Sequence, residues 1–322
     1  MSKILVAGGA GYIGSHTVKE LRRQGFDVVV FDNLSTGRRE FVRDAELIVG
    51  DLEVKDDIRS AFKSQNIAAV LHFASLIQVS ESYIHPRKYY TQNLTSSLNL
   101  LEEMLEAGVR NFIFSSSAAV YGIPKQIPIP EDHPLDPFNP YGQTKFFVER
   151  ILQDYDRAYK LKFISLRYFN ASGADPDGEM GECHDPETHL IPNILLSVLG
   201  RKENLDIFGT DFPTPDGTAI RDYIHVTDLA KAHVLALQKL MASPRSEFIN
   251  LGTNRGYSVK EVIARAEKIT GKKVSVREMP KREGDVPVLL ASKDKAERLL
   301  GWKLRNSEIE TIIETAWRWH RK

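Results

Sequence analysis

The chain has a single cysteine, Cys183, among its 322 residues. No disulfide can close within it, and one thiol leaves no cysteine cluster for zinc. It also lacks net charge, since Lys plus Arg and Asp plus Glu both number 43. No global field gathers nucleic acid or an anionic membrane, although a local basic pocket is compatible with that balance. No apolar stretch approaches a membrane span. The start, "MSKILVAGG", offers one lysine and an apolar run too short for a signal peptide. Without secretion, the N-x-[ST] matches at Asn33, Asn93 and Asn170 carry no weight as glycosylation acceptors. There is no internal repeat and no low-complexity linker. What is present is an ordinary soluble composition, 42% hydrophobic and 27% charged. The length suits one large domain or two smaller ones. The expectation is a reduced, cytoplasmic protein with no metal site.

Apolar runs in "KILVAGG", "FDVVVFDN", "AELIVGDL", "IAAVLHFA", "NFIFSSSAAVYG" and "KFISLRYFN" predict six strands. Between them, "YIGSHTVKELRRQG", "DDIRSAFKSQN", "YYTQNLTSSLNLLEEMLEAG" and the segment from Tyr141 to about residue 160 have helical spacing. Such alternation predicts an α/β fold, a doubly wound parallel sheet. Beyond Asn170 the texture changes. Residues 171–190 look irregular, acidic and solvated. A helix is expected over 191–200, another capped near Thr227 or Asp228, and "EFINLG" reads as a further buried strand. The chain should therefore return to the first sheet before finishing a smaller domain. The expected division is 1–169, completed by about 219–252, against 170–218 with 253–322.

"GGAGYIG" sets Gly8, Gly11 and Gly14 after a strand and at the opening of a helix. That is the arrangement by which a turn and a helix N-terminus receive a dinucleotide pyrophosphate. Asp32 closes the next strand. A carboxylate there accepts bonds from the adenosine ribose and repels a 2′-phosphate, which favours NAD over NADP. Asp51, at another strand end, is a weaker candidate for the adenine edge and is equally suited to capping a helix.

Ser117 ends the fifth strand, and Tyr141 and Lys145 follow four residues apart in "NPYGQTK". Residues at that spacing share a helix face. A tyrosine with pKa near 10 is a poor base at neutral pH. Half-ionising it there requires about three units, or about 4 kcal/mol, which neighbouring positive charges can supply. Taken singly, each residue has a plainer use: a strand-end turn for Ser117, a helix face for the Tyr–Lys pair.

Taken together, "GGAGYIG", "SSSAAVYG" and "PYGQTK" resemble the extended short-chain dehydrogenase/reductase family. "LRYFNASGADP", "ETHLIPN", "GTDFPTPDGTAIRDYIHVTDLA" and "KREGDVP" extend the resemblance over nearly the whole chain, to the members that invert C4 of a UDP-sugar. The resemblance implies NAD as cofactor, UDP-galactose and UDP-glucose as substrates, and a homodimer. It implies Tyr141 as the base on the sugar 4-hydroxyl, Lys145 on the nicotinamide ribose depressing the tyrosine pKa, and Ser117 bridging to the sugar. Tyr12, Ile13, Asn33, Leu52, Phe73, Ala74, Ser75, Ile77, Gln92 and Phe169 would join Gly8, Gly11, Gly14, Asp32 and Asp51 around NAD. Asn170, His189, Leu190, Phe208, Arg221, Arg282, Asp285 and Leu289 would hold the UDP-sugar. Planar guanidinium forks at Arg221 and Arg282 suit a diphosphate. Alternatively, Arg221 pairs with Asp222, and Arg282 with Asp285, as surface ion pairs.

Three positions depart from the family pattern. Ile77 stands where some relatives have lysine, Gln92 where asparagine is usual, and Leu289 at a place whose bulk decides whether N-acetyl sugars fit. UDP-N-acetylhexosamines and UDP-pentoses therefore remain alternative substrates, and a non-catalytic NAD-binding regulator a remote alternative. The acidic loop's glycine is misplaced for a calcium-binding EF-hand.

Overall fold

The computed structural model describes residues 2–282 and 284–322. Six strands appear where apolar runs predict them: β1 Lys3–Ala7, β2 Val28–Asp32, β3 Glu46–Val49, β4 Ile67–His72, β5 Asn111–Ser115 and β6 Lys162–Arg167. The Glu247–Asn250 strand joins them, so the chain does return to the first sheet. The order is (247–250)-β6-β5-β4-β1-β2-β3, with every neighbouring pair parallel. A parallel sheet is covered on both faces, which is why its central strands are almost wholly apolar. The order reverses between β1 and β4. Beyond the carboxyl ends of those strands lies the crevice where open α/β sheets bind ligands.

Alternate strand residues feed two cores. Val6, Val30, Leu71 and Ile113 face Val18, Leu21, Leu229 and Leu237 of the Tyr12–Arg23 and Val226–Ala242 helices. Leu5, Val29, Val70 and Phe112 face Ile58, Leu100, Met104, Val148 and Leu152. A third cluster, with Ile194, Leu205, Val262, Ile309 and Ile313, lies in the later part of the chain. The Leu190–Val198 helix there begins one residue before the predicted 191.

One local prediction needs correction and another is made more specific. The helix from Pro86 to Glu106 is α-helical except over Tyr90–Thr95, which is π-wound. The extra residue in that turn buries Asn93 instead of leaving it on the surface. The helix expected to be capped near Thr227 or Asp228 is capped by His225, two residues before Thr227, whose Nδ1 accepts from Thr227 N at 3.2 Å. Asp228 Oδ2 is occupied elsewhere, by Arg305 N, Asn306 N and the Ser307 hydroxyl.

Four histidines are buried and held neutral. Burial lowers His16, His225 and His233 to about 4 and His72 to about 3. Their unfolded value lies near 6.5. Below that pH the unfolded chain takes up protons that the folded chain refuses, so stability falls as pH drops from about 6.5 towards 4. The urea midpoint should decline steadily across this window. A flat midpoint down to pH 4.5 would contradict it.

Candidate active site and cofactor cleft

Gly8 follows β1 with φ +80°, and a Cβ there would lie 2.4 Å from Ala74 N. At Gly14 a Cβ would lie 2.1 Å from Gly8 O. The fold itself requires both glycines. Gly11 is different. Its φ of −76° suits any residue, and a Cβ would meet nothing nearer than Gly8 O at 3.4 Å. What a side chain at Gly11 would obstruct is the approach to the helix N-terminus, which fits a pyrophosphate bound there. Asp32 stands beside this loop. Its Oδ2 accepts from Ala10 N at 2.9 Å and its Oδ1 from Leu34 N at 2.8 Å. One lone pair on each oxygen remains for ribose hydroxyls. Burial raises its pKa, and those backbone bonds oppose the rise. These residues fit NAD. Asp32→Asn keeps acceptor capacity but removes the charge that repels a 2′-phosphate. The retained NADP-to-NAD ratio should rise at least about tenfold, roughly 1.4 kcal/mol, as read by chromatography of released dinucleotide.

The rest of the expected cofactor set divides. Asn33 donates to Asp51 Oδ2 at 3.0 Å, and Asp51 Oδ1 takes Glu53 N at 2.8 Å. Asp51 thus shapes the turn after β3 and does not cap the following helix, whose N-cap is Val54. Leu52 is buried, and Ile13 packs on the first core. The Tyr12 hydroxyl donates to Gly173 O at 2.6 Å, tying the glycine-loop helix to the later chain. Phe73 lies against His233, with ring centroids 4.7 Å apart. Ala74 N is bonded to Ala7 O at 3.1 Å. Ile77 is 38% exposed. Gln92 lines an outer depression with Glu53, Glu81, His85 and Lys88. Its neighbour Asn93 points inward, accepting from Leu76 N at 2.7 Å and donating to Leu76 O at 3.0 Å and Thr144 Oγ1 at 3.1 Å. The π turn thus brings Asn93, and not Gln92, to the "FASLI" strand end.

The Pro140–Tyr159 helix is started by Asn139, whose side chain accepts from Gly142 N at 2.7 Å. It presents Tyr141, Lys145 and Glu149 at successive turns. Lys145 Nζ donates to Ser75 Oγ at 2.8 Å and Ser115 O at 3.0 Å, and lies 5.9 Å from the Tyr141 ring centre. The Ser117 side chain accepts from Ala119 N at 3.1 Å and is hydrogen-bonded to Tyr141. Burial raises the Tyr141 pKa, and the Ser117 bond opposes the rise. Burial lowers Lys145 to about 7, with the Glu149 charge opposing. In the protein alone, then, the expected depression of Tyr141 by Lys145 is not seen. The ammonium is spent on two oxygens and is itself disfavoured. Additional positive charge has to come from a bound ligand.

Glu149 holds this helix to the sheet, a role sequence reasoning missed. It accepts from Arg167 Nε at 2.9 Å and Nη2 at 2.6 Å, from Ser116 Oγ at 2.7 Å and from Ser165 Oγ at 2.8 Å. Arg167 Nη1 also donates to Tyr121 Oη at 2.8 Å. The recurrence of Tyr141, Lys145 and Glu149 every four residues was the available signal.

On the far side of the cleft, Phe169 and Leu289 pack with Val120 and Tyr121, next to Ser117 in the chain. Asn170 donates to Asp222 O at 2.8 Å. Asp222 is fully engaged with Thr253 and Ala291 N, so it does not pair with Arg221. Arg282 forms a fork with Asp285 at 3.0 and 3.2 Å and lies over the Phe208 ring at 4.8 Å; Arg221 Nη2 stands 3.9 Å from the same carboxylate. Four expected UDP residues thus converge. The expected surface pair Arg282–Asp285 does form, but as part of this group.

His189 and Leu190 begin the Leu190–Val198 helix, and His189 is engaged by Glu182 at 2.8 Å and Glu187 at 3.0 Å. The acidic loop is not the solvated one expected. Asp175 and Glu182 are buried, and Asp175, Asp177 and Glu179 all close on Lys19.

A family model described as the NAD dependent epimerase/dehydratase family matches residues 4–252. A UDP-glucose 4-epimerase of Lactobacillus helveticus is 48% identical over 320 residues, covering 99% of this chain and 97% of that protein. The crystal structure of UDP-glucose 4-epimerase from Brucella ovis with NAD is 46% identical, with TM-score 0.96 and 98% of each chain covered. The enzyme from Bifidobacterium longum, solved with NAD+ and UDP, is 37% identical, with TM-score 0.93, covering 99% of this chain and 98% of that one.

Proposed function

Because the chain belongs to the NAD dependent epimerase/dehydratase family, we propose that it is an NAD-dependent epimerase that interconverts UDP-galactose and UDP-glucose by inversion at C4. The observation that carries this is the meeting of Tyr141, Ser117 and Lys145 at the carboxyl end of β5.

Bound NAD supplies the acceptor, and then the donor, for the C4 hydrogen. The chain's residues do the rest. Tyr141 takes the proton of the 4-hydroxyl and later returns it to the same oxygen, once C4 has regained its hydrogen on the opposite face. Ser117 donates to the same sugar oxygen. Lys145 holds the nicotinamide ribose, and its charge adds to that of the oxidised cofactor to stabilise the phenolate. Gly8, Gly11, Gly14, Asp32, Asn33 and Asp51 hold the dinucleotide. Arg221, Arg282 and Asp285, with Phe208, Asn170, His189 and Leu190, grip the UDP. Firm grips on UDP and few on the sugar let a 4-keto sugar turn over without escaping. We place the cofactor-binding domain at 1–169 with 219–252; the Glu247–Asn250 strand beside β6 supports that division.

The test is product analysis by NMR. UDP-galactose should yield UDP-glucose with no net consumption of NAD. Conversion of UDP-N-acetylgalactosamine or a UDP-pentose alone would favour the alternative specificities. A protein that binds NAD yet turns over none would be a regulator.

A homodimer pairing the helices around 88–107 and 141–160 is supported by Phe147, 37% exposed on the latter. Sedimentation at micromolar concentration should give a dimer, and a monomer would refute it. Among the described residues no helix is long and apolar enough to cross a membrane. A cytoplasmic location remains our inference from Cys183, which is a free thiol.

A further inference from the structure

We propose that Glu182, His184, Glu187 and His189 bind a divalent transition-metal ion, with zinc the best match, that fastens the 173–189 segment to the Leu190–Val198 helix. The spacing is E-x-H-x-x-E-x-H. Each side chain brings one ligand atom, and these atoms lie within 4.8 Å of one another. Glu182 Oε1 is 3.0 Å from His184 Nδ1 and 2.8 Å from His189 Nδ1. Glu187 Oε1 is 3.0 Å from His189 Nδ1, and its Oε2 is 3.9 Å from His184 Nδ1. The carboxylate side chains are only 4% and 7% exposed.

Four bonds of 2.0–2.1 Å directed to the corners of a tetrahedron give edges of about 3.3 Å. The carboxylate–imidazole separations of 2.8–3.9 Å straddle that value, and the four ligand atoms together lie within 4.8 Å, so an ion would draw the outermost of them inward. Hydrogen bonding alone accounts for the cluster less well. His189 Nδ1 has one N–H to share between the carboxylates of Glu182 and Glu187, at 2.8 and 3.0 Å. A central cation uses the lone pairs of all four groups and removes that conflict. Two imidazole nitrogens with two carboxylates favour zinc over magnesium or calcium, which take oxygen. With neutral imidazoles the two carboxylates balance a dication. Four protein ligands leave no open position, so the role is structural.

The ion would sit at a junction. Trp319 Nε1 donates to Glu182 O at 3.1 Å, and the His184 ring meets the Tyr12 ring edge-on at 6.2 Å. The C-terminal helix, the glycine-loop helix and the expected UDP contacts His189 and Leu190 all meet there. The cysteine count and the calcium-loop glycine, on which the expectation of no metal rested, do not test for such a site.

The experiment uses the purified protein with its NAD. Elemental analysis after desalting should give about one zinc per chain. Dialysis against a chelator should lower the thermal midpoint. Zn2+, but not Mg2+, should restore it, and Co2+ in its place should give the visible absorption of a four-coordinate ion. His184→Ala and, as a milder change, Glu187→Gln should lose the ion and the cobalt spectrum while retaining NAD, which shows that they fold. The proposal is overturned if zinc-supplemented and Zn2+-titrated protein takes up no stoichiometric ion, or if His184→Ala takes up as much as wild type. Neither readout depends on which sugar is epimerised.

Discussion

Tyr141→Phe should retain bound NAD and lose about 10²–10⁴-fold in kcat, the usual contribution of one positioned proton-transfer group. The substitution removes one oxygen and leaves the ring, its helix and Lys145 in place. Released NAD should stay near wild-type stoichiometry, and the thermal midpoint should move little. The direction of the Tyr141 shift adds a second expectation. Burial alone pushes the phenol up, so its ionisation depends on nearby positive charge. Lys145→Met should therefore move the acid limb of the pH–rate profile to higher pH as well as lowering the plateau. Near-native turnover in Tyr141→Phe would remove Tyr141 as the base, and an unmoved acid limb in Lys145→Met would remove the proposed electrostatic link.

Glu149→Ala should be the most damaging substitution for stability. Glu149 and Arg167 are 1% and 2% exposed, and their pair is closed by bonds of 2.6 and 2.9 Å. Removing one member leaves a buried guanidinium with no countercharge, which costs about 3–5 kcal/mol. The same deletion strips the partner from Ser116 and Ser165 and loosens the helix that carries Tyr141 and Lys145. Turnover should fall together with the urea midpoint. The double variant Glu149→Leu with Arg167→Met should recover much of the stability, because buried ion pairs are often replaceable by apolar residues of similar volume. A loss below about 1 kcal/mol in Glu149→Ala would mean that water reaches Arg167 in solution.

The two parts of the site differ in how far the sequence reveals them. The glycine turn and Asp32 depend on interactions within one strand–turn–helix unit, so spacing along the chain exposes them. The Tyr141–Lys145 pair needs only helix geometry. Asn93 was masked because its inward position depends on a π turn that ordinary helical periodicity does not anticipate. The lock on Glu149 was hidden for another reason. Helical spacing shows that Glu149 shares a face with Lys145, but not that Arg167 and Ser165 of β6 lie beneath it. The acidic loop misled in the opposite sense. Its composition suggests solvation, while Lys19, 156 residues from Asp175, gathers three of its carboxylates.

What the sequence by itself determined is the alternation of strands and helices, the dinucleotide turn and the residue types able to move a proton, because each rests on local periodicity or a short motif. Only the tertiary structure decided which distant groups meet: Arg221 and Arg282 on one carboxylate, Glu149 on Arg167, and Glu182, His184, Glu187 and His189 around one point. The reason is physical. Burying a charge is costly unless a partner meets it, and which partner meets it is set by how the sheet and its covering segments pack.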